Sequence, residues 1–186
     1  MPICYWPSNS FFNTFSIYES LESYCFIDGK NVTGNNDKYF RLNWEISSSK
    51  KYKKFIPVAK GGDYRKWMGN TTYLMDFSDS AKNEYKSTTS GRLIKPYLWY
   101  KKGLTFSRMS NIVNCRYIDE RGTFDGTTVS FFFKEEYIQY SNWIQAFFNS
   151  KVGNYYIKVL NPTLVFQFID VKKIPIALLK NISENA

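Results

Sequence analysis

The residues whose types and spacing best suit ligand binding lie in one short segment, KGGDYRKWMGN, at positions 60–70. Its two adjacent glycines, Gly61 and Gly62, leave the peptide N–H groups open to a close approach because they have no side chain. Phosphate oxygens bind such N–H groups and cations, and an indole stacks on a base or a sugar. The segment supplies both kinds of side chain, from Lys60, Arg65, Lys66 and Trp67. It therefore predicts a loop that binds a polyanion, with an ordinary turn bearing solvated cations as the alternative.

The charge distribution points in the same direction. The chain has 186 residues and a formal net charge of +9. Residues 50–121 contain 16 Lys and Arg against 6 Asp and Glu, whereas residues 1–49 contain 3 against 5. Aromatic residues alternate with the cations in KKYKKF (50–55) and WYKKG (99–103). This pattern is typical of a nucleic-acid-binding surface, although a basic protein with a merely solvated surface would share the composition.

Motifs for catalysis are sparse. The absence of histidine excludes a histidine general base, a Ser-His-Asp triad and a Cys/His zinc site, and the sequence has no dinucleotide-binding or Walker motif. Asp170-Val171-Lys172 is similar to the Asp-x-Lys end of some nuclease sites, but no earlier acidic partner accompanies it. Asn161-Pro162 begins a segment resembling the Asn-Pro-Pro-aromatic loop of amino-methyltransferases, without its second proline or aromatic residue. We expect no catalytic residue and no metal site, with a small nuclease that uses Asp170 as an alternative.

Cysteine content and hydropathy indicate the cellular compartment of the protein. The three cysteines, Cys4, Cys25 and Cys115, are odd in number and far apart. No signal peptide and no apolar run of about 18 residues is present. The sequence therefore predicts a cytoplasmic protein without a membrane segment.

Apolar periodicity predicts an α+β fold. An N-terminal helix is expected over 8–25, with Phe11, Phe12 and Phe15 on its buried stripe, and an irregular loop over 28–40. Strands are expected at 40–46, 55–59, 72–77, 93–100, 104–109, 115–118 and 127–133. A helix pair is expected over 136–160, broken at Asn149-Ser150 and ended by Asn161-Pro162, before a closing strand at Ile174-Pro175-Ile176.

These elements divide the predicted single domain, 1–186, into three parts. They are an N-terminal helical segment (1–27), a β-rich basic part with a mixed or antiparallel sheet (28–135), and the helix pair with the closing strand (136–186).

Four segments in register resemble one known family. They are TGNNDKYFRLNWEI (33–46), KKYKKFIPVAKGGDYRKWMGN (50–70), KKGLTFSRMSN (101–111) and FFNSKVGNYYIKVLNPTLVFQFIDVKKIPI (147–176). They are similar to the C-terminal target recognition region of adenine-specific DNA methyltransferases of BREX phage defence (the PglX type) and of related single-chain restriction-modification enzymes. PICYW (2–6) resembles the segment that follows the catalytic domain there, and residues 147–176 also resemble recognition domains of type I restriction specificity subunits. Asn43 replaces a usual aromatic, and Ile169 a usual glycine.

The resemblance implies a domain that binds a specific double-stranded DNA sequence and presents an adenine to a methyltransferase catalytic domain in cis or in trans. S-adenosylmethionine would bind only that missing domain, so no cofactor is expected in this chain. Three groups are candidates for DNA contacts. Near the target base or its phosphate we expect Thr33, Asn35 and Lys38; on the backbone, Lys60, Gly61, Gly62, Arg65, Lys66 and Trp67; and on the reading surface, Lys101, Lys102, Ser107 and Arg108. The alternative is a stand-alone protein-interaction or antirestriction module that docks on a methyltransferase.

Overall fold

Two four-stranded sheets and seven α-helices make up the part of the chain that the computed structural model describes, residues 6–27, 29–119 and 121–178. The helices are α1 (Asn9–Ile17), α2 (Leu21–Tyr24), α3 (Asn36–Tyr39), α4 (Asp79–Ser87), α5 (Ser141–Asn149), α6 (Lys151–Leu160) and α7 (Phe168–Lys172). The strands are β1 (Cys25–Phe26), β2 (Phe40–Leu42), β3 (Phe55–Ala59), β4 (Tyr73–Asp76), β5 (Gly103–Ser107), β6 (Arg116–Ile118), β7 (Thr123–Phe124) and β8 (Thr128–Phe133). This arrangement confirms the predicted α+β class.

The first sheet has the order β1-β8-β5-β6 and is antiparallel throughout. The second has the order β2-β4-β3-β7, in which only the β3–β7 pair is parallel. Every residue of β8 is buried. A strand in the middle of a sheet that is covered on both faces must be apolar or internally hydrogen-bonded at every position.

The largest apolar cluster lies between the first sheet and the helices α1, α5 and α6, with Phe106, Phe131 and Phe148 fully buried in it. A second cluster packs the second sheet against α3 and α4. A third, smaller cluster includes Phe124 of the second sheet and Phe132 of the first, whose ring centroids lie 5.5 Å apart. The two sheets are therefore joined by aromatic packing.

The C-terminal helix pair follows the prediction closely. The Ser150 hydroxyl accepts a hydrogen bond from the Gly153 N–H and caps α6, which ends at Leu160, directly before Asn161-Pro162. The first helix of the pair, α5, is shorter than expected, because residues Glu135–Tyr140 form a 3-10 helix before it. Strand 55–59 is present as predicted.

The N-terminal helix predicted over 8–25 is broken in two. Ser8 caps α1, but the backbone around Ser20 is extended, where the Leu21 N–H donates to the Ile174 carbonyl at 2.8 Å. Pairing with the C-terminal segment therefore overrides local helix propensity. Phe12, expected in the core, is 38% exposed, whereas Phe11 is buried. Residues 2–5 of the PICYW segment and Cys4 lie outside the described residues.

The middle of the chain contains a helix that the sequence reading missed. Helix α4 begins after Ser78, whose hydroxyl accepts from the Ala81 N–H, and buries Ala81 and Tyr85 one turn apart. The strand predicted at 93–100 is wrong, because Pro96 lacks an N–H and begins a 3-10 helix, Pro96–Leu98.

The closing strand is also reduced. Only Pro175 forms a bridge, to Ser20, and the preceding residues form α7, which was not predicted. In the described ranges, no helix is both long enough and apolar enough to cross a membrane.

Candidate nucleic-acid interface

An open groove of about 470 Å³ brings together two of the three predicted groups. One wall is Lys60, Gly61 and Gly62, which follow β3; the opposite wall includes Ser107 and Arg108, at the end of β5. We call it the glycine groove. Its remaining lining residues are Met109, Gly126, Thr127 and Val165. Residues 45 positions apart in the sequence therefore share one surface.

The glycine backbone itself is not open to a ligand. The Gly61 N–H donates to Thr127 Oγ1 at 2.8 Å, and the Gly62 N–H donates to Ser107 Oγ at 3.3 Å. This corrects the expectation that these N–H groups are available to phosphate oxygens. Gly61 is needed for another reason, since a Cβ there would lie 2.8 Å from the Thr127 carbonyl oxygen. The glycines thus let two chain segments meet, and any anion must be bound by the surrounding side chains.

Beneath this groove lies a fully buried cation, Arg116 of β6. Its Nη2 donates to the Lys60 carbonyl at 3.2 Å, and its Nη1 lies 3.5 Å from Ser107 Oγ. Its Nε is buried without a hydrogen-bond partner in the described part of the chain. Burial lowers the pKa of the Arg116 guanidinium, because the charged form loses its hydration. Arg116 therefore supports both walls from below and places positive charge under the groove.

Sequence reasoning missed Arg116. The available signal was a cation flanked by Cys115 and Tyr117 in a short predicted strand, where an apolar residue would be ordinary. A buried arginine whose hydrogen-bond partners are a carbonyl and a hydroxyl is costly. Such a residue calls for a compensating role.

Trp67 presents its ring to solvent from a fixed backbone. Its φ of 73° lies in the left-handed region that residues other than glycine rarely adopt. Its N–H donates to the Cys115 carbonyl, and its carbonyl accepts from the Tyr117 N–H and from Gln145 Nε2. The side chain is nevertheless 53% exposed. A backbone held in an unfavourable conformation by three hydrogen bonds, with an exposed indole, is an arrangement that often accompanies function.

The three cations of the loop differ in their surroundings. Lys60 is 3.4 Å from an Asp125 carboxylate oxygen and lies over the ring of Phe40, so much of its charge is compensated within the chain. Lys66 Nζ donates to the carbonyl of Asn149 at 3.2 Å, at the C-terminus of α5. Arg65 is exposed. Arg65 is therefore the cation of the loop with the most accessible charge.

A second cleft of about 550 Å³ adjoins the far end of the loop. Trp67 and Lys102 line it together, with Tyr117 and Gln145 among the other lining residues. Lys101 is half-buried beside Lys102. The structure thus divides the predicted reading group, with Ser107 and Arg108 in the glycine groove and Lys102 in this cleft.

The third predicted group lies away from the glycine groove, and its side chains form hydrogen bonds or an ion pair within the chain. Thr33 is buried and donates its hydroxyl proton to Asn36 Oδ1 at 2.7 Å. Asn35 caps α3 by accepting from the Lys38 N–H. Lys38 forms an ion pair with Glu84, which also accepts from the Tyr39 hydroxyl. These hydrogen bonds raise the pKa of Lys38 and lower that of Glu84. None of the three predicted residues lines the glycine groove.

The residues of the motifs considered for catalysis make hydrogen bonds that hold local structure. Asn161 donates to the Val165 carbonyl and to Asp170, and accepts from Thr163, so it organises the turn after α6. Asp170 is thereby hydrogen-bonded within the chain. No group of three His, Cys, Asp or Glu side chains that could hold a metal occurs among residues 6–27, 29–119 and 121–178. Cys25 and Cys115 are buried free thiols, and burial raises the pKa of both.

Comparison with known proteins reveals two relatives. The chain is 30% identical over 183 residues to the adenine-specific methyltransferase BrxX of Escherichia coli O9:H4 (strain HS), covering 94% of this chain and 15% of that protein. It is 26% identical over 198 residues to the adenine-specific methyltransferase PglX of Lacticaseibacillus casei (strain Zhang), covering 95% of this chain and 16% of that protein. The chain therefore corresponds to about one sixth of these relatives. No protein-family profile matches it.

Proposed function

We propose that this chain is a target recognition region that binds double-stranded DNA for an adenine-specific methyltransferase of a BREX or restriction-modification system. The observation that carries the proposal is the similarity of nearly the whole chain to a limited part of two adenine-specific methyltransferases. Catalysis and S-adenosylmethionine binding then belong to a catalytic domain in cis or in trans. The recognition region positions DNA so that one adenine reaches that domain.

The surface that would contact DNA is the glycine groove with the adjoining loop. Arg65 and Lys66 would neutralise backbone phosphates, and Trp67 would stack on a base or a sugar. Arg108 would face a base edge or a phosphate from the opposite wall. Lys60, Gly61, Gly62 and Ser107 give the groove its shape, and Lys101 and Lys102 extend the basic surface past Trp67. Thr33, Asn35 and Lys38 would act at most indirectly, by forming α3.

A salt titration tests this function. If about five phosphates are neutralised, the logarithm of the affinity for a duplex should fall against the logarithm of salt concentration with a slope of about −4.5. Arg65→Ala/Lys66→Ala should reduce the steepness by about 1.8 and weaken binding to all duplexes alike, because phosphate contacts are independent of sequence.

The matched control is Lys151→Ala/Lys158→Ala, which removes the same charge from exposed positions on α6. This control should retain the parent slope. Affinity that does not depend on salt, or equal losses in both double variants, would contradict the proposed surface.

An exposed apolar surface supports a second candidate, a module that docks on a methyltransferase. Phe12 of α1 and Tyr155 of α6 are both partly exposed, and the rings of both contact Phe11. Such a module would co-purify with a methyltransferase and would not retard duplex DNA at low salt. The same titration therefore distinguishes the two candidates.

A further inference from the structure

A third cavity, a basic cleft, lies next to the glycine groove. Of its cationic lining residues, only Arg108 is in one of the three predicted groups of DNA contacts. The cleft has a volume of about 550 Å³, and four cations from four separate segments line it: Lys30, Arg92, Arg108 and Lys172. Leu93 and Phe168 are among its apolar lining residues. The described lining residues include no Asp or Glu.

The backbone that carries these cations is firmly held. Val32 and Arg92 exchange two reciprocal N–H to carbonyl hydrogen bonds of 2.8 Å, which join the segment after Lys30 to the segment of Arg92. The Arg108 N–H donates to the Thr127 carbonyl, and the Arg108 carbonyl accepts from the Phe166 N–H, each at 2.9 Å. The backbone at Arg92 and Arg108 is therefore fixed by hydrogen bonds, and an anion that binds there need not order these segments first.

The compensation of these charges within the described chain is incomplete. Lys172 pairs with Glu22 at 3.0 Å, and Arg108 Nη2 donates to the neutral amide oxygen Gln167 Oε1 at 3.2 Å. Arg108 Nε is buried and has no hydrogen-bond partner among the described residues. A buried donor without a partner is uncommon and often indicates an absent ion or water. Like charges that converge on one cleft favour an anion there.

Arg108 also lines the glycine groove, so the cleft and the groove adjoin each other through one side chain. Lys30 reinforces this connection, because its Cδ lies 3.0 Å from the position that a Cβ on Gly126, a groove residue, would occupy. We infer that the cleft binds phosphodiester groups of the same DNA strand whose backbone crosses the glycine groove. This inference rests on the proposed function and extends the contact surface by Lys30, Arg92 and Lys172.

The test uses Lys30→Gln/Arg92→Gln, which removes two charges but retains most of the side-chain volume. If each cation neutralises one phosphate, the slope of log affinity against log salt should become shallower by about 1.8. Lys151→Ala/Lys158→Ala again serves as the charge-matched control and should keep the parent slope. Circular dichroism and thermal melting confirm that each variant is folded; if the double variant is not, Arg92→Gln alone should reduce the slope by about 0.9.

A second arm separates this inference from the proposed function. Inorganic pyrophosphate, compared with chloride at equal ionic strength, should raise the melting temperature of the parent and of the control, but not of Lys30→Gln/Arg92→Gln. A parent slope in the double variant would overturn the inference while leaving DNA binding intact. If pyrophosphate stabilises the parent but duplex DNA does not bind, the cleft is an anion site, and both the DNA assignment and the proposed function are wrong.

Discussion

Two loops of this chain have similar composition, but they differ in whether their side chains pair within the chain or stay exposed. Residues 33–38 and residues 60–70 both combine glycine, polar residues and lysine. In the first loop, Thr33, Asn35 and Lys38 form hydrogen bonds or an ion pair with neighbouring residues. In the second, Lys60 and Lys66 also have partners within the chain, but backbone hydrogen bonds hold the loop while Arg65 and Trp67 remain exposed.

The difference shows what makes a polar loop available for binding. Side chains that cap a helix or pair with a carboxylate would have to give up those partners to contact a ligand. A loop whose backbone is anchored by buried side chains, as Arg116 and Gln145 anchor residues 60–70, can present its own side chains without disorder. We therefore expect changes in the second loop to affect DNA affinity and changes in the first to affect mainly local structure.

The largest effect should come from Trp67. Replacement by alanine removes a stacking surface and should weaken binding by about 1–3 kcal/mol if one base stacks on the indole. Trp67→Gly should weaken DNA binding equally, yet be more stable than Trp67→Ala by about 1 kcal/mol, because glycine accepts the positive φ of 73° without strain.

Equilibrium binding and denaturant unfolding of both variants measure these two quantities. Trp67→Phe, which keeps an aromatic ring, should recover part of the affinity. Full DNA affinity in Trp67→Ala would show that the exposed indole has no part in binding.

The next effect should come from Arg116, which is fully buried and would act on the groove from below without touching DNA. Arg116→Met retains an unbranched side chain but removes the charge and the hydrogen bond to Lys60. We expect about tenfold weaker DNA binding, equivalent to about 1.4 kcal/mol. The free energy of unfolding should change by no more than about 1 kcal/mol, because the lost hydrogen bonds are offset by relief of a desolvated charge.

Arg116→Ala is the comparison for a purely structural role, since it also leaves a cavity and should be clearly less stable than Arg116→Met. Isothermal binding and urea unfolding separate affinity from stability. Unchanged DNA affinity in Arg116→Met would limit Arg116 to packing.

The sequence predicted those parts of the fold that depend on local signals. The break at Asn149-Ser150 and the stop at Asn161-Pro162 depend on residues a few positions apart, and the structure confirms both. The break in the N-terminal helix could not be predicted, because it depends on hydrogen bonds between Glu19–Leu21 and a segment more than 150 residues away. Long-range pairing of this kind has no signature in local periodicity.

The candidate site shows the same limit. Composition pointed to residues 60–70, but it could not show that Thr127 and Ser107 accept from the glycine N–H groups. Nor could it show that Arg116 lies beneath them, since burial of a charged residue is decided by the tertiary structure. The helix α4, which supplies Glu84 to Lys38, was also missed, so Lys38 was expected to be free for DNA.

The smallest effect on DNA binding should therefore come from Lys38. Lys38→Ala should change the affinity for duplex DNA by less than twofold, because its ammonium group already pairs with Glu84 away from the glycine groove. The ion pair should instead appear in the pH dependence of stability. Hydrogen bonds from Lys38 and Tyr39 lower the pKa of Glu84, so their stabilisation is present above the ordinary carboxyl pKa of about 4.3 and is lost as pH falls through the lowered value.

Melting temperatures of the parent and of Lys38→Ala should consequently differ at pH 7 and converge as pH falls through the lowered pKa of Glu84. Glu84→Gln, which keeps the side-chain shape, should reproduce the Lys38→Ala melting behaviour at pH 7 and should leave DNA affinity unchanged. A large loss of DNA affinity in Lys38→Ala, with Glu84→Gln unaffected, would place Lys38 on the DNA and remove the distinction between the two loops.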